Sequence, residues 1–228
     1  MELAKAFSFV TDDDQWLTTL LIGGLLFFVP IFGWFVLLGF TMETARNVMR
    51  RSERPLPRWD NLGEKFMLGL YSFAIQIVYA LPAILIAFVL VCIIGVLAAG
   101  SSGSEEAVGG IIALVAICFT PLIGVVGIVL QPVTWAAHAR YLQSGSLRDA
   151  FQVGEVIAMT RANLGKWVIV WLLYVLCGIV AQAGAIVFFI GLLLSIPYSM
   201  AVFGHILGQA AAPLTPQAYG SAPPPTYQ

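Results

Sequence analysis

The sequence has few charged residues: only 10% of its 228 residues are Asp, Glu, Lys or Arg, whereas 60% are hydrophobic. Soluble domains average about 25% charged and 45–50% apolar residues. The mean hydropathy of +0.92 points the same way. Uncharged runs longer than the roughly 20 residues that cross a bilayer recur along the chain. This composition excludes a soluble globular protein and predicts an integral membrane protein whose first partner is the lipid bilayer.

Side chains that hold metals or carry out catalysis are also scarce. The cysteines have no CxxC spacing and lie in apolar runs, which argues against a disulfide framework or a zinc site: Cys92, Cys118 and Cys177. His138 and His205 have no Cys or carboxylate at ligand spacing, so we interpret them as interfacial or core polar groups. Phosphate-binding loops, HExxH, GxSxG and basic–aromatic patches are absent from the sequence. We therefore expect no cofactor, no metal, no catalytic residue and no nucleic-acid partner.

One long polar stretch, residues 42–69, interrupts the apolar sequence and carries six cationic residues: Arg46, Arg50, Arg51, Arg54, Arg58 and Lys65. It begins and ends in apolar sequence, so it must lie at a membrane surface. We call it the first elbow. With six membrane spans, every Lys and Arg would lie on one side of the bilayer. The positive-inside rule then predicts a multi-pass protein of the cell membrane with both termini in the cytoplasm.

Internal repetition indicates how the spans are arranged. The first elbow runs from Ala45-Arg46 to Trp59 and Glu64, and a second elbow runs similarly from Ala139-Arg140 to Phe151 and Glu155. The fold prediction is therefore all-α: about six transmembrane helices in three hairpins, each preceded by an interfacial amphipathic helix. The hairpin turns are expected at residues 29–33, 100–106 and 189–191. In a five-helix alternative, residues 16–40 form one helix.

Prolines and caps refine this prediction. Pro30, Pro121 and Pro132 are expected to break or kink their helices. Asn61-x-x-Glu64 and Ser146-x-x-Asp149 are capping-box patterns that predict helix starts. Residues 1–209 are predicted to be the membrane domain and residues 210–228 a disordered, Pro-rich cytoplasmic tail. The tail ends in a PPxY pattern at residues 224–227, although a solvated tail is the favoured interpretation.

The stretch from Leu56 to Leu70 resembles the signature of a known family. The signature Leu-Pro-x-Trp-Asp-Asp-x-Gly-x-x-Phe-x-x-Gly is met with Asn61 in place of its second Asp. The matching residues are Leu56, Pro57, Trp59, Asp60, Gly63, Phe66 and Gly69. A later Ala-Phe-x-Phe-Gly motif is similar to residues 150–154, with Val153 in place of Phe. The family is an uncharacterised group of bacterial and archaeal multi-pass membrane proteins, the domain of unknown function four-zero-one-three. The resemblance implies a polytopic helical protein and no assigned activity.

Two sets of residues are candidate sites. The first is a possible interaction or structural motif in the elbows: Arg46, Pro57, Trp59, Asp60, Gly63, Glu64, Phe66, Arg140, Phe151 and Gly154. The second is a possible polar path through the spans: Gln76, Gln131 and Gln182. Simpler explanations compete with both. Glu43 could pair with Arg46 on one helix face. Asp60 could cap a helix or pair with Arg54 or Arg58, and mid-span glutamines commonly form interhelical hydrogen bonds.

The favoured function is that of a non-enzymatic accessory, assembly or scaffolding subunit, with other membrane protein subunits as partners. A small-solute or lipid transporter or channel is the alternative, based on the repeats, the prolines and the glutamines. The transporter hypothesis predicts a cavity beside Gln131. A membrane enzyme using Asp60, Glu64 or His138 is the weakest hypothesis, because no pair of nucleophile and base can be assembled.

Overall fold

The computed structural model describes residues 2–100 and 105–212, and this part of the chain is helical and contains no strand. The α-helices are α1 (Leu3–Ser8), α2 (Trp16–Phe27), α3 (Phe32–Met49), α4 (Leu62–Gly100), α5 (Glu105–Ser144), α6 (Leu147–Ala150), α7 (Val153–Ala162), α8 (Leu164–Ala183) and α9 (Phe188–Ala211). A 3-10 turn, Gly184–Val187, joins the last two. The prediction of an all-α, polytopic helical protein is confirmed.

The first hairpin is formed by α2 and α3. Residues 28–31 separate the two helices, and Ile31 has a φ of 63°, which a right-handed helix cannot contain. Pro30, the residue before it, was correctly predicted to break the helix. Residues 16–40 are therefore not one continuous helix, which the five-helix alternative required.

Four helices of the described ranges are long and apolar enough to cross a bilayer: Leu62–Val96, Ile112–Ser144, Leu164–Ile186 and Gly191–Ala211. The first hairpin is shorter. Helix α2 has 12 residues, which gives a length of about 18 Å, against a hydrocarbon thickness of about 30 Å. The number of six spans stays a prediction.

Helix α5 continues from Glu105 to Ser144 with both Pro121 and Pro132 inside it, so neither proline breaks the helix, and a kink at either one stays a prediction. The predicted position of one turn was wrong. The third hairpin turns at 184–187 rather than at 189–191. Gly184 and Gly191 explain the earlier turn, because a Cβ on Gly191 would stand 2.0 Å from the Gly184 carbonyl oxygen. The predicted turn at 100–106 lies mostly outside the described residues, as does the predicted tail from residue 213 on.

The three hairpins pack in a ring. Helices α3, α5 and α9, the second helices of the hairpins, contact one another at the centre. Each first helix then packs against the central helix of the preceding hairpin: α4 against α3, α8 against α5, and α2 against α9. Glycines make these contacts close, since a Cβ on Gly39 would stand 1.7 Å from the Lys65 carbonyl oxygen. This cyclic order brings the two elbows and the N-terminal segment to the same end of the bundle.

Candidate interaction site at the elbows

Trp59 fixes the first elbow to the first hairpin. Its ring stacks on Phe40 with centroids 4.8 Å apart, and its Nε1 donates a hydrogen bond of 2.8 Å to the Thr19 carbonyl oxygen. Pro57 is buried beside it. The motif residue Phe66, on the first turns of α4, stacks on Phe32 with centroids 5.3 Å apart. The aromatic part of the motif is therefore used to join the elbow to α2 and α3.

The charged residues of the first elbow form ion pairs between α3 and α4. Arg46 Nη2 lies 2.9 Å from Glu64 Oε1, and Lys65 Nζ lies 3.0 Å from Glu43 Oε2. The suggested pairing of Glu43 with Arg46 is wrong, because each finds a partner on α4. Asp60 lies 3.8 Å from Lys65 Nζ rather than beside Arg54 or Arg58.

The second elbow repeats this arrangement. Arg140 pairs with Glu155 and donates 3.0 Å hydrogen bonds to the Asp149 carbonyl oxygen and to Gln152 Oε1. Arg46–Glu64 and Arg140–Glu155 thus occupy equivalent places, as the repeated sequence predicted. Phe151 and Gly154 are exposed, and a Cβ on Gly154 or on Gly63 would meet nothing within 4 Å.

The capping-box patterns predicted the correct helix starts, but the capping hydrogen bond expected from Ser146 is not formed. Helices α4 and α6 begin at Leu62 and Leu147, as predicted. The Ser146 side chain, however, makes no capping hydrogen bond. Arg140 instead binds the carbonyl oxygen of Asp149, so this elbow is held by the arginine.

The N-terminal segment takes the place of a third elbow; the sequence predicted its helix, α1, but not the way it docks on α9. The Glu2 backbone N donates a 2.8 Å hydrogen bond to Gln209 Oε1, and Gln209 Nε2 donates to the Glu2 carbonyl oxygen at 3.2 Å. Phe9 packs on His205 with ring centroids 4.6 Å apart. Asp13, in the acidic run after α1, pairs with Arg58 at 3.0 Å. The opposite charges of the two segments could have indicated the Asp13–Arg58 contact, but the sequence did not show which acidic residue pairs with which arginine.

A cleft of about 920 Å³ opens between α1, the first elbow and the end of α9. Charged residues of both signs line it, and within the described residues several have no ion-pair partner: Arg51, Arg54, Asp12, Asp14 and Glu53. A second cavity of about 480 Å³ lies between the two elbows, lined among others by Arg46, Glu64, Tyr71 and Tyr141. Both cavities have the polar residues of a surface that meets water.

The three glutamines are not gathered into one site. Gln76 is half-buried on α4, and Gln182 is exposed near the end of α8. Gln131 Oε1 is buried without a hydrogen-bond partner. None of the three lines either cavity.

His138 is fully buried between α4 and α5, where its Nδ1 lies 2.8 Å from the Thr134 carbonyl oxygen and its Nε2 lies 2.9 Å from Ser72 Oγ. Nε2 also lies 3.2 Å from the Ser72 carbonyl oxygen, so both ring nitrogens of His138 face an acceptor on the protein backbone. Ser72, one partner of this contact, was missed by sequence reasoning. Across 2–100 and 105–212, no group of three or more His, Cys, Asp or Glu side chains could hold a metal ion.

Comparisons with known proteins add one match. No curated protein and no solved structure matches the chain. One family model, described as "Protein of unknown function (DUF4013)", matches residues 22–196. The match begins in α2 and ends in α9, so it includes both elbows and most of the three hairpins. The chain belongs to this family of unknown function, as the elbow motif indicated.

Proposed function

We propose that this membrane protein is a non-enzymatic accessory or assembly subunit that binds another membrane protein through the cleft beside the first elbow. The observation that carries the proposal is a difference between the two elbows. The second elbow is short: Arg140 is fully used in internal contacts, and Arg148 is its one exposed arginine without an ion-pair partner among the described residues. The first elbow is longer, and its additional residues carry exposed arginines without internal partners.

Two of these additional arginines, Arg51 and Arg54, line the cleft, and Arg50 lies next to them in the sequence. Arg50, Arg51 and Arg54 are exposed, and among the described residues no carboxylate lies within ion-pair distance of them. Asp12 and Asp14 stand on the other wall of the same cleft. Unpaired charges of both signs at the edge of a cleft favour a partner segment with complementary charges. Such complementarity speeds the encounter of the two proteins and sets the position in which they bind. The proposed partner therefore presents a charged cytoplasmic segment next to its own membrane helices.

The other polar groups of the elbows support a structural role. Trp59, Arg46 and Lys65 each have a partner inside the fold. Covalent catalysis needs a nucleophile next to a base. The described residues of the two elbows contain no such pair. The elbows therefore act as a fixed frame around the cleft.

The test is affinity purification of the full chain from its own membranes in mild detergent. The wild-type protein is expected to bring down a second membrane protein in stoichiometric amount. The double variant Arg51→Glu/Arg54→Glu is expected to lose it, and added salt is expected to weaken it. Arg148→Glu is the matched control, because Arg148 is an exposed arginine of the second elbow. A wild-type protein that purifies without a stoichiometric partner, or equal loss in the control, would refute the proposal.

A small-solute or lipid transporter is the second candidate, favoured by buried polar atoms without hydrogen-bond partners on the central helices: Gln131 Oε1, Trp135 Nε1 and Ser199 Oγ. Trp135 contacts Phe203 with ring centroids 4.5 Å apart. Gln131 and Ser199 are one turn before these residues on α5 and α9. Orphan polar atoms of this kind are commonly satisfied by buried water. Rapid labelling of Gln131→Cys by a water-soluble maleimide in proteoliposomes would favour transport, and complete protection would argue against it.

A further inference from the structure

The second hairpin is longer than a bilayer is thick. Helices α4 and α5 contain 39 and 40 residues, or about 58 and 60 Å at 1.5 Å per residue. The uncharged residues 107–137 of α5 alone extend about 46 Å at this rise. Fitting that length into a hydrocarbon core of about 30 Å requires a tilt of about 50°, outside the range of about 0–40° found for membrane helices. Tilt alone therefore does not cover the apolar length of this hairpin.

The outer part of the hairpin has no cover within the described chain either. Phe88 and Val96 on α4 are 64% and 72% exposed, and Leu114 and Ile117 on α5 are 64% and 70% exposed. More than half of the most apolar stretch of α9 is buried within the bundle, whereas none of the most apolar stretch of α5 is. Apolar surface in excess of the bilayer must be covered by protein.

The glycines of the hairpin differ from those of the bundle. A Cβ on Gly69 would stand 1.8 Å from the Phe35 carbonyl oxygen, whereas Gly110, Gly124 and Gly127 have nothing within 4 Å. Glycine destabilises a helix relative to alanine, and in membranes it is favoured where two helices approach closely. Gly110, Ile117 and Gly124 recur every seven residues and so share one face of α5. This face has the small residues of a helix contact and no helix on it.

We propose that a second copy of this chain covers this face, so that two α4–α5 hairpins pack against each other. The partner that covers this face must have a matching apolar length of about 46 Å. A second copy of this hairpin has that length, whereas an ordinary span of about 20 residues does not. A face of this length and two helix widths, each about 10 Å, presents about 900 Å². The dimer would bury about 1,800 Å², within the roughly 1,200–2,000 Å² of stable interfaces. The uncharged sequence between Lys65 and Glu105 leaves no like charges to oppose pairing.

The test uses the full chain reconstituted in liposomes, with dimerisation measured by single-molecule photobleaching over a range of protein-to-lipid ratios. Gly124→Leu and Gly110→Leu are expected to raise the dissociation constant at least tenfold. Gly178→Leu on α8 is the matched control, because Gly178 has equally open space around it, and it is expected to leave dimerisation unchanged. Thicker bilayers are expected to weaken the dimer, since they cover more of the hairpin. All three variants should keep the wild-type melting temperature.

A protein that stays monomeric at every density would overturn the inference, as would an equal loss of dimerisation in Gly178→Leu. Disulfide cross-linking gives a second measurement in a protein whose three native cysteines are replaced by alanine. Gly124→Cys should cross-link between copies, and Leu172→Cys, which is 53% exposed on α8, should not. The inference does not depend on the proposed elbow partner. Arg51→Glu/Arg54→Glu should lose that partner and still dimerise.

Discussion

Lys65 and Glu43 form a buried ion pair where α4 crosses α3. Lys65 Nζ lies 3.0 Å from Glu43 Oε2, and only 1% of the Lys65 side chain is exposed, against 21% for Glu43. The two atoms approach as an ion pair without the alignment of a hydrogen bond. The backbone of α4 comes this close because residue 39 of α3 is glycine. The pair is therefore a consequence of close helix packing, and each charge depends on the other.

Removing Glu43 is expected to be worse than removing Lys65. Glu43→Leu leaves a buried ammonium group whose remaining ionic neighbour among the described residues is the exposed Asp60, 3.8 Å away. It should destabilise the fold by about 3 kcal/mol, the lower end for breaking a buried pair. Lys65→Met leaves a carboxylate that still reaches water and should cost less. The double variant should regain most of the loss, because two apolar side chains need no partner. Free energies of unfolding in detergent micelles measure all three, and a double variant less stable than Glu43→Leu would contradict this account.

The two elbow arginines are expected to differ in their contribution. Arg140 has three acceptors, on Asp149, Gln152 and Glu155, whereas one acceptor, on Glu64, is found for Arg46. Arg140→Ala should therefore lower the free energy of unfolding by about 2–3 kcal/mol and Arg46→Ala by about 1 kcal/mol, on the scale of charged hydrogen bonds. Arg140→Lys should not restore the loss, because an ammonium lacks the guanidinium fork. Equal effects of the two alanine variants would show that the acceptors of Arg140 are not all used.

The repeat explains how much of the fold could be predicted. Arg46 and Glu64 recur as Arg140 and Glu155 at similar spacing, so the elbows and the hairpins could be inferred from one another, although the ion pair between each arginine and glutamate was not predicted. The docking of Glu2 on Gln209 could not, because the third elbow is built from the opposite end of the chain. No local pattern encodes a contact between residues this far apart.

Helix contacts were the second limit of prediction. Gly63 and Gly69 both belong to the elbow motif. The sequence does not indicate which of the two packs closely against the backbone of another helix. Whether Pro121 and Pro132 would break α5 or only kink it could likewise not be predicted, since a proline in a membrane helix can be accommodated by its surroundings. The charge pairs of Glu43 and Asp60 depended on the close approach of α4, which pattern alone does not give.

Gly69 and Gly63 provide a matched pair on α4. A Cβ at Gly69 would stand 1.8 Å from the Phe35 carbonyl oxygen, and one at Gly63 would meet nothing within 4 Å. Gly69→Ala should therefore separate α4 from α3 and lower the melting temperature markedly. Gly63→Ala should leave the fold unchanged or stabilise it by up to about 1 kcal/mol, because alanine favours a helix. If Gly63→Ala proved as damaging as Gly69→Ala, the conformation of the elbow rather than helix packing would be the reason for the glycines.

The sidedness of the protein can be tested at three exposed positions. Ser8 and Ser52 lie in segments that the Asp13–Arg58 pair holds together, so they must share one side of the membrane. Ile186 is 84% exposed in the turn between α8 and α9, at the other end of the bundle. In a cysteine-free protein, Ser8→Cys and Ser52→Cys should react with an impermeant maleimide only after the cells are opened, because the positive-inside rule predicts that the basic elbow faces the cytoplasm. Ile186→Cys should react in intact cells. Labelling of Ser52→Cys and Ile186→Cys from the same side would mean that the third hairpin does not cross the bilayer, and labelling of Ser52→Cys in intact cells would invert the orientation.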